Sequence, residues 1–223
     1  MDYRYQRIIL ATDGVSMESP VDETAFKLAQ KNDATVVIVD TLKPPTLAAR
    51  WFTSNASDVF EMVLADKQQR LKKIASRFEA GGVKAKSKVI FGKSSEAIAC
   101  EASEGNADLV VRYMKGVRSN FPGLFGNTAR ELMRTCPCPL LLVGNKAVQA
   151  NRVLACVDAE HDSHENMAIL REAKRLVLDR DGLYGLYCWD LYGADMLQRH
   201  MNDVAFADAL SHAESVYRGV FDK

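Results

Sequence analysis

Short apolar runs alternate with amphipathic stretches from residue 7 to residue 144, and that order constrains the fold more than any other feature of the chain. RIILAT at 7–12 closes on Asp13-Gly14, which suits a buried strand entering a turn. Ser19-Pro20 then offers a helix cap with proline in the first turn. Asp22 and Glu23 follow with the right charge, and Val21, Ala25, Leu28 and Ala29 share one face. ATVVIVD is a second buried strand. A long connection leads to a helix from about Asp58 to Glu79, with Phe60, Leu64, Leu71, Ile74 and Phe78 as its apolar stripe and Gly81-Gly82 as its stop. KSKVIFG, ADLVVRY and PLLLVG read as strands three to five, and SSEAIACEASEGN and TARELMRT as the helices between them. Strict alternation predicts an α/β fold: a five-stranded parallel, doubly wound sheet covered on both faces. In such sheets ligands sit beyond the carboxyl ends of the strands, at the switch point.

The pattern then restarts. RVLACVD at 152–158 echoes RIILATD at 7–13, and the segment from Asp203 echoes the one from Asp58. Both pairs are 145 positions apart, 152 less 7 and 203 less 58. Two matches at one offset predict a complete module at 1–147 and an incomplete second copy at 151–223. The second copy would hold two strands and two helices, with a helix from Asn166 and a strand YGLYCWD between the echoes.

The formal net charge is zero, so no basic surface points to nucleic acid or an anionic membrane. No apolar run approaches the roughly 18 residues of a membrane span, and MDYRYQRIIL is no signal-peptide core, so the chain is expected in the cytoplasm. Of the five cysteines, Cys100, Cys156 and Cys188 lie in apolar segments and are expected as reduced core residues. Cys136 and Cys138 in TCPCP lack a second ligand cluster, and the adjoining prolines favour a rigid strand entry over a soft-metal pair. No metal is expected.

The stretch YMKGVRSNFPGLFGNT at 113–128 lies between the fourth strand and the helix after it, where glycines let a backbone approach phosphate oxygens and a helix start offers N–H donors. Together the ATDG turn, GKSSEAI, NADLVV and GNTARELMRTCPCPLLLVG resemble the universal stress protein superfamily, and the repeat resembles its tandem, universal stress protein E-like branch. The resemblance implies a Rossmann-like sheet of the adenine nucleotide alpha hydrolase kind. Members that hold ATP show Gly, two residues, Gly, nine residues, then Gly and Ser or Thr. Gly116 and Gly126 stand at the nine-residue spacing. Tyr113 replaces the first glycine, where its ring would crowd the ribose or phosphate, and Asn127 replaces the hydroxyl residue. The binding set that the resemblance implies is Asp13, Val39, Gly116, Gly126, Asn127 and Thr128. Asp13 would face adenine and ribose, or equally cap the turn with Gly14. Val39 would line the adenine slot or serve as a core valine.

Thr128 with Glu131 forms a capping-box pattern that would place a carboxylate beside any bound phosphate, so the stretch reads as a worn cradle. GKSS at 92–95 is no P-loop, because a Walker A glycine would fall on Ser87, and Ser94 or Ser95 is expected to cap a helix. His161, Asp162 and His164 are expected in a solvated loop. The first module contains no histidine, which weakens general-base chemistry near neutral pH. The expected function is a stress-response regulatory protein that is not an enzyme and acts through self-association or partners. The alternative is an ATP-binding switch, and an adenylating hydrolase relative rests on fold alone. The resemblance further implies a homodimer paired through the strand Leu140 to Val143.

Overall fold

The computed structural model describes residues 4–12, 19–46, 56–114, 126–147, 152–157, 163–177, 182–187 and 199–221. The chain divides into two compact units, Met1–Gln149 and Ala150–Lys223. In the first, β1 (Arg7–Ala11), α1 (Pro20–Asn32), β2 (Thr35–Leu42), α2 (Ala56–Ala80), β3 (Ala85–Phe91), α3 (Ser94–Glu104), β4 (Leu109–Tyr113), α4 (Asn127–Thr135) and β5 (Leu140–Val143) alternate as the periodicity predicts. The strands lie in the order β3-β2-β1-β4-β5, all parallel. The order reverses direction between β1 and β4, so the carboxyl ends of these two strands flank the switch point.

Successive side chains point to opposite faces, which puts a different core on each side of the sheet. Ile9, Ala11, Val37, Val39, Ile90 and Val110 join Ile98 and Ala102 of α3 and Leu132 of α4 in one cluster. The alternate residues Ile8, Leu10, Val36, Ile38 and Val111 are equally buried and point to the opposite face. There α1 buries Val21, Ala25, Leu28 and Ala29, and α2 buries Leu71, Ile74 and Phe78. Phe26 and Phe78 meet edge to face at 5.4 Å and lock the two helices together.

Local chemistry sets the helix ends. Ser19 caps α1, accepting the Asp22 amide at 3.3 Å, with Pro20 opening the helix. Gly82, at φ 83°, ends α2 in a conformation that a side chain would strain. Gly92, at φ 124°, turns β3 into α3. The cap of α3 is Lys93, without a side-chain hydrogen bond, and not Ser94 or Ser95. Both serines are spent on tertiary partners.

The second unit contains β6 (Val153–Val157), α5 (Ser163–Leu176), β7 (Leu183–Tyr187) and α6 (Asp203–Phe221). β6 and β7 pair in parallel. α5 begins at Ser163, not Asn166, so His164 is an exposed residue of its first turn and not of a loop. α5 packs on β6 and buries Ala173. Ala155 and Val157 are buried, whereas Leu154, Tyr184 and Leu186 are 57%, 50% and 40% exposed. Leu154 opposes Tyr184, and Cys156 opposes Leu186, so these four residues form one open face. Cys156 is therefore exposed, contrary to its expected place in the core, because alternate residues of this sheet face solvent. Cys100 is exposed as well: it lies two residues beyond the buried Ile98, on the outer side of α3. Cys188 and the candidate ligands His161 and Asp162 lie outside the described residues.

Candidate functional site

The site is built where β1, β2 and β4 end. β1 runs out at Ala11, and the Thr12 amide donates to the Val39 carbonyl at 2.9 Å, which holds the last turn of β1 against β2. Val39 itself is fully buried in the core cluster beneath. The Thr12 hydroxyl oxygen is buried without a hydrogen-bond partner among the described residues. An unsatisfied polar group of that kind carries a desolvation cost that a ligand or water would relieve. Asp13 and Gly116 lie outside the described residues.

β2 continues past Val39 to a buried carboxylate, Asp40, which accepts the Thr41 amide at 2.7 Å and a hydrogen bond from Lys67 of α2. The Thr41 hydroxyl shares a 2.6 Å hydrogen bond with the Ser94 hydroxyl. The end of β2 is thereby clasped to the start of α3. Ser95, also buried, donates to Glu131 of α4, and the Lys93 ammonium lies 3.0 Å from the other Glu131 oxygen. Lys93 reaches Glu96 as well, at 3.4 Å.

These contacts settle the charge of the cluster. The Ser95 hydrogen bond, and then the Lys93 ammonium, hold the Glu131 carboxyl below the ordinary carboxylate range. Hydrogen bonding to Glu131 and Glu96 raises the Lys93 ammonium above its usual value. Both groups are ionised at neutral pH, and each carboxylate lies beside the same cation.

α4 starts on Gly126, in an extended conformation, with Asn127 as its first helical residue. No side chain caps it. The expected capping box is therefore absent: the cap falls on Gly126, two residues before Thr128, and Glu131, five residues beyond that cap, is held by Ser95 and Lys93. Gly126, Asn127 and Thr128 are contiguous and partly or wholly exposed, so the first turn of α4 presents uncapped backbone donors. Such a terminus favours an anion through both its N–H groups and its dipole.

Tyr113 ends β4, and its hydroxyl donates to the Asn145 side-chain oxygen at 2.6 Å. Asn145 follows β5, on the side of β4 away from β1. The Tyr113 hydroxyl is thus tied to the segment that follows β5.

Val39 lies in the core below the strand ends and Gly126–Thr128 open α4, while Thr41 and Lys93 were not anticipated, Ser94 or Ser95 was expected as a helix cap, and Glu131 was expected in a capping box. The GKSS stretch was the available signal. It holds no phosphate loop, yet its turn delivers three of the five residues of the clasp. Among the described residues, no group of three or more His, Cys, Asp or Glu side chains could hold a metal ion. Among the same residues, no helix is long and apolar enough to cross a membrane.

The sequence profile described as universal stress protein family matches residues 4–144. A universal stress protein of Methanocaldococcus jannaschii is 24% identical over 139 residues, which cover 62% of this chain and 82% of the relative. Among solved structures, the universal stress protein UspA from Lactobacillus plantarum is similar with a TM-score of 0.55 at 16% identity, over 63% of this chain and 98% of the other. A universal stress protein crystallised in complex with cAMP is similar with a TM-score of 0.51 at 20% identity, over 64% of this chain and 99% of its own. At these identities the structural likenesses speak to the fold alone.

Proposed function

Because the chain belongs to the universal stress protein family through residues 4–144, we propose that it is a regulatory protein that takes an adenine nucleotide at the carboxyl end of its first sheet. The observation that carries this reading is the start of α4 on Gly126, which has no side chain to cap the first turn, while the Glu131 carboxylate lies in the second turn and is held by Ser95 and Lys93. Gly126 and the amides of Asn127 and Thr128 receive the phosphate, and the Asn127 side chain supplies an amide donor. The family resemblance adds Gly116 to the same binding set. Asp13 accepts from a ribose hydroxyl or the adenine amino group, and Val39 supports the slot from within the core. The relative crystallised with cAMP makes an adenine nucleotide the natural class to test. No catalytic role is assigned. The protein signals through its nucleotide state and its associations, in keeping with a cytoplasmic stress-response role.

Thermal shift and calorimetric titration with ATP, AMP and cAMP test the site. A ligand at 100 times its Kd adds about 2.7 kcal/mol, so a rise in Tm of several degrees is expected with at least one nucleotide. Gly126→Leu should remove that rise. No shift with any of the three would overturn the nucleotide reading.

We further read the second unit as a partial copy of the first, as in the tandem, E-like branch. At the 145-residue offset β6 falls on β1, and the β6–β7 pairing of Val153 with Leu183 repeats that of Ile8 with Val36. Leu154, Cys156, Tyr184 and Leu186 then stand where Ile9, Ala11, Val37 and Val39 stand in the first unit. Those counterparts are buried beneath α3 and α4.

A further inference from the structure

We propose that Cys136 and Cys138 form a reversible dithiol site that a hydroperoxide oxidises to an intramolecular disulfide. Neither cysteine is disulfide-bonded in this structure, and their sulfur atoms lie 4.0 Å apart. Backbone chemistry holds them there. Cys136 ends α4, its amide donating to the Leu132 carbonyl at 2.9 Å, and it leaves the helix at φ −67° and ψ 127°, the extended state that the following Pro137 favours. Cys138 likewise precedes a proline, Pro139, and leads into β5. Both thiols are half-buried against the cluster that contains Leu132. The pair is thus pinned by a helix end on one side and a strand start on the other.

Cys136 also differs in chemistry from Cys100. Hydrogen bonding with Cys138 lowers the Cys136 thiol to about 7, against the opposing effect of burial. A large share of Cys136 is therefore thiolate at neutral pH. Cys100 is more exposed, yet the Glu104 carboxylate raises its thiol, so exposure and nucleophilicity point to different residues.

The reaction balances as follows. The Cys136 thiolate attacks one peroxide oxygen, the O–O bond breaks, and the departing oxygen leaves as hydroxide or alkoxide and takes a proton. The resulting sulfenic acid is attacked by the Cys138 sulfur, the S–S bond forms as the S–O bond breaks, and the released hydroxide leaves as water with the Cys138 proton. The dithiol loses two electrons and the peroxide gains them. Because the ring closes over a single residue, Pro137, the disulfide is strained and readily reduced again by a small thiol, which makes a switch and not a staple.

The test uses the full chain at neutral pH, treated with hydrogen peroxide and then alkylated, digested with trypsin and analysed by mass spectrometry. Cleavage after Arg134 and Lys146 isolates TCPCPLLLVGNK, which carries both residues and no other cysteine. The expected product is this peptide lighter by two hydrogens and unalkylated, returning to the doubly alkylated form after dithiothreitol, while Cys100 and Cys156 stay singly alkylated. In Cys138→Ser the sulfenic acid has no partner, so dimedone should label Cys136. A peptide that remains doubly alkylated, or one oxidised at Cys136 with Cys138 still alkylatable, would overturn the proposal. So would faster oxidation of Cys100 than of Cys136.

Discussion

Ser95, in the first turn of α3, donates its hydroxyl hydrogen to Glu131 in the second turn of α4, across 36 residues of sequence. This bond joins the two helices that cover one face of the sheet. It also holds the Glu131 carboxylate, five residues beyond the Gly126 cap, in a fixed pairing beside the candidate site. Lys93, the residue just before α3, completes the pairing.

The pairing predicts a specific acid response. The folded-state carboxyl of Glu131 is depressed below its ordinary value of 4.5, so its contribution to stability is fully present above that pH and is lost as pH falls through the lower folded value. Wild type should lose Tm more steeply below about pH 4.5 than Glu131→Gln, and the two curves should converge in strong acid. Thermal melts across this range check it. Parallel curves would mean that Glu131 is not held by Ser95 and Lys93 in solution.

β5 predicts self-association. Among the described residues it pairs only with β4, which leaves one row of backbone donors and acceptors on its outer edge, and no charge interrupts Leu140 to Val143. A two-fold homodimer is expected in which these strands meet antiparallel across the axis. Leu141→Lys or Leu142→Pro should shift the protein to monomer in sedimentation with its helical circular dichroism retained. A wild-type monomer at micromolar concentration would refute the pairing.

The open face of β6 and β7 predicts dye binding. Leu154, Tyr184 and Leu186 present contiguous apolar surface, the kind that binds anilinonaphthalene sulfonate. Threonine at Leu154 and Leu186 keeps strand propensity while removing most of that surface. The double variant should show markedly weaker dye fluorescence and unchanged far-ultraviolet circular dichroism. Equal fluorescence in both would place the apolar surface elsewhere.

The order of strands and helices in the first unit was legible in the sequence because its causes are local. Continuous apolar runs, buried on both faces, mark β1 and β2, the apolar face of α1 repeats every three or four residues, and Ser19 caps the helix that follows it by accepting the amide three residues on. Gly82 stops α2 for a reason contained in one residue, its positive φ. The site depended on longer reach. Thr128 and Glu131 have the spacing of a capping box, but the cap falls on Gly126, two residues too early for it, and Ser95 and Lys93 hold the carboxylate from the start of another helix. Cys100 and Cys156 sit in apolar segments, yet only the packing around them decides which side of each element meets solvent. Composition and spacing record what a residue can do. Which partner it takes depends on free-energy differences between contacts that exist only once α3, α4 and the sheet have come together.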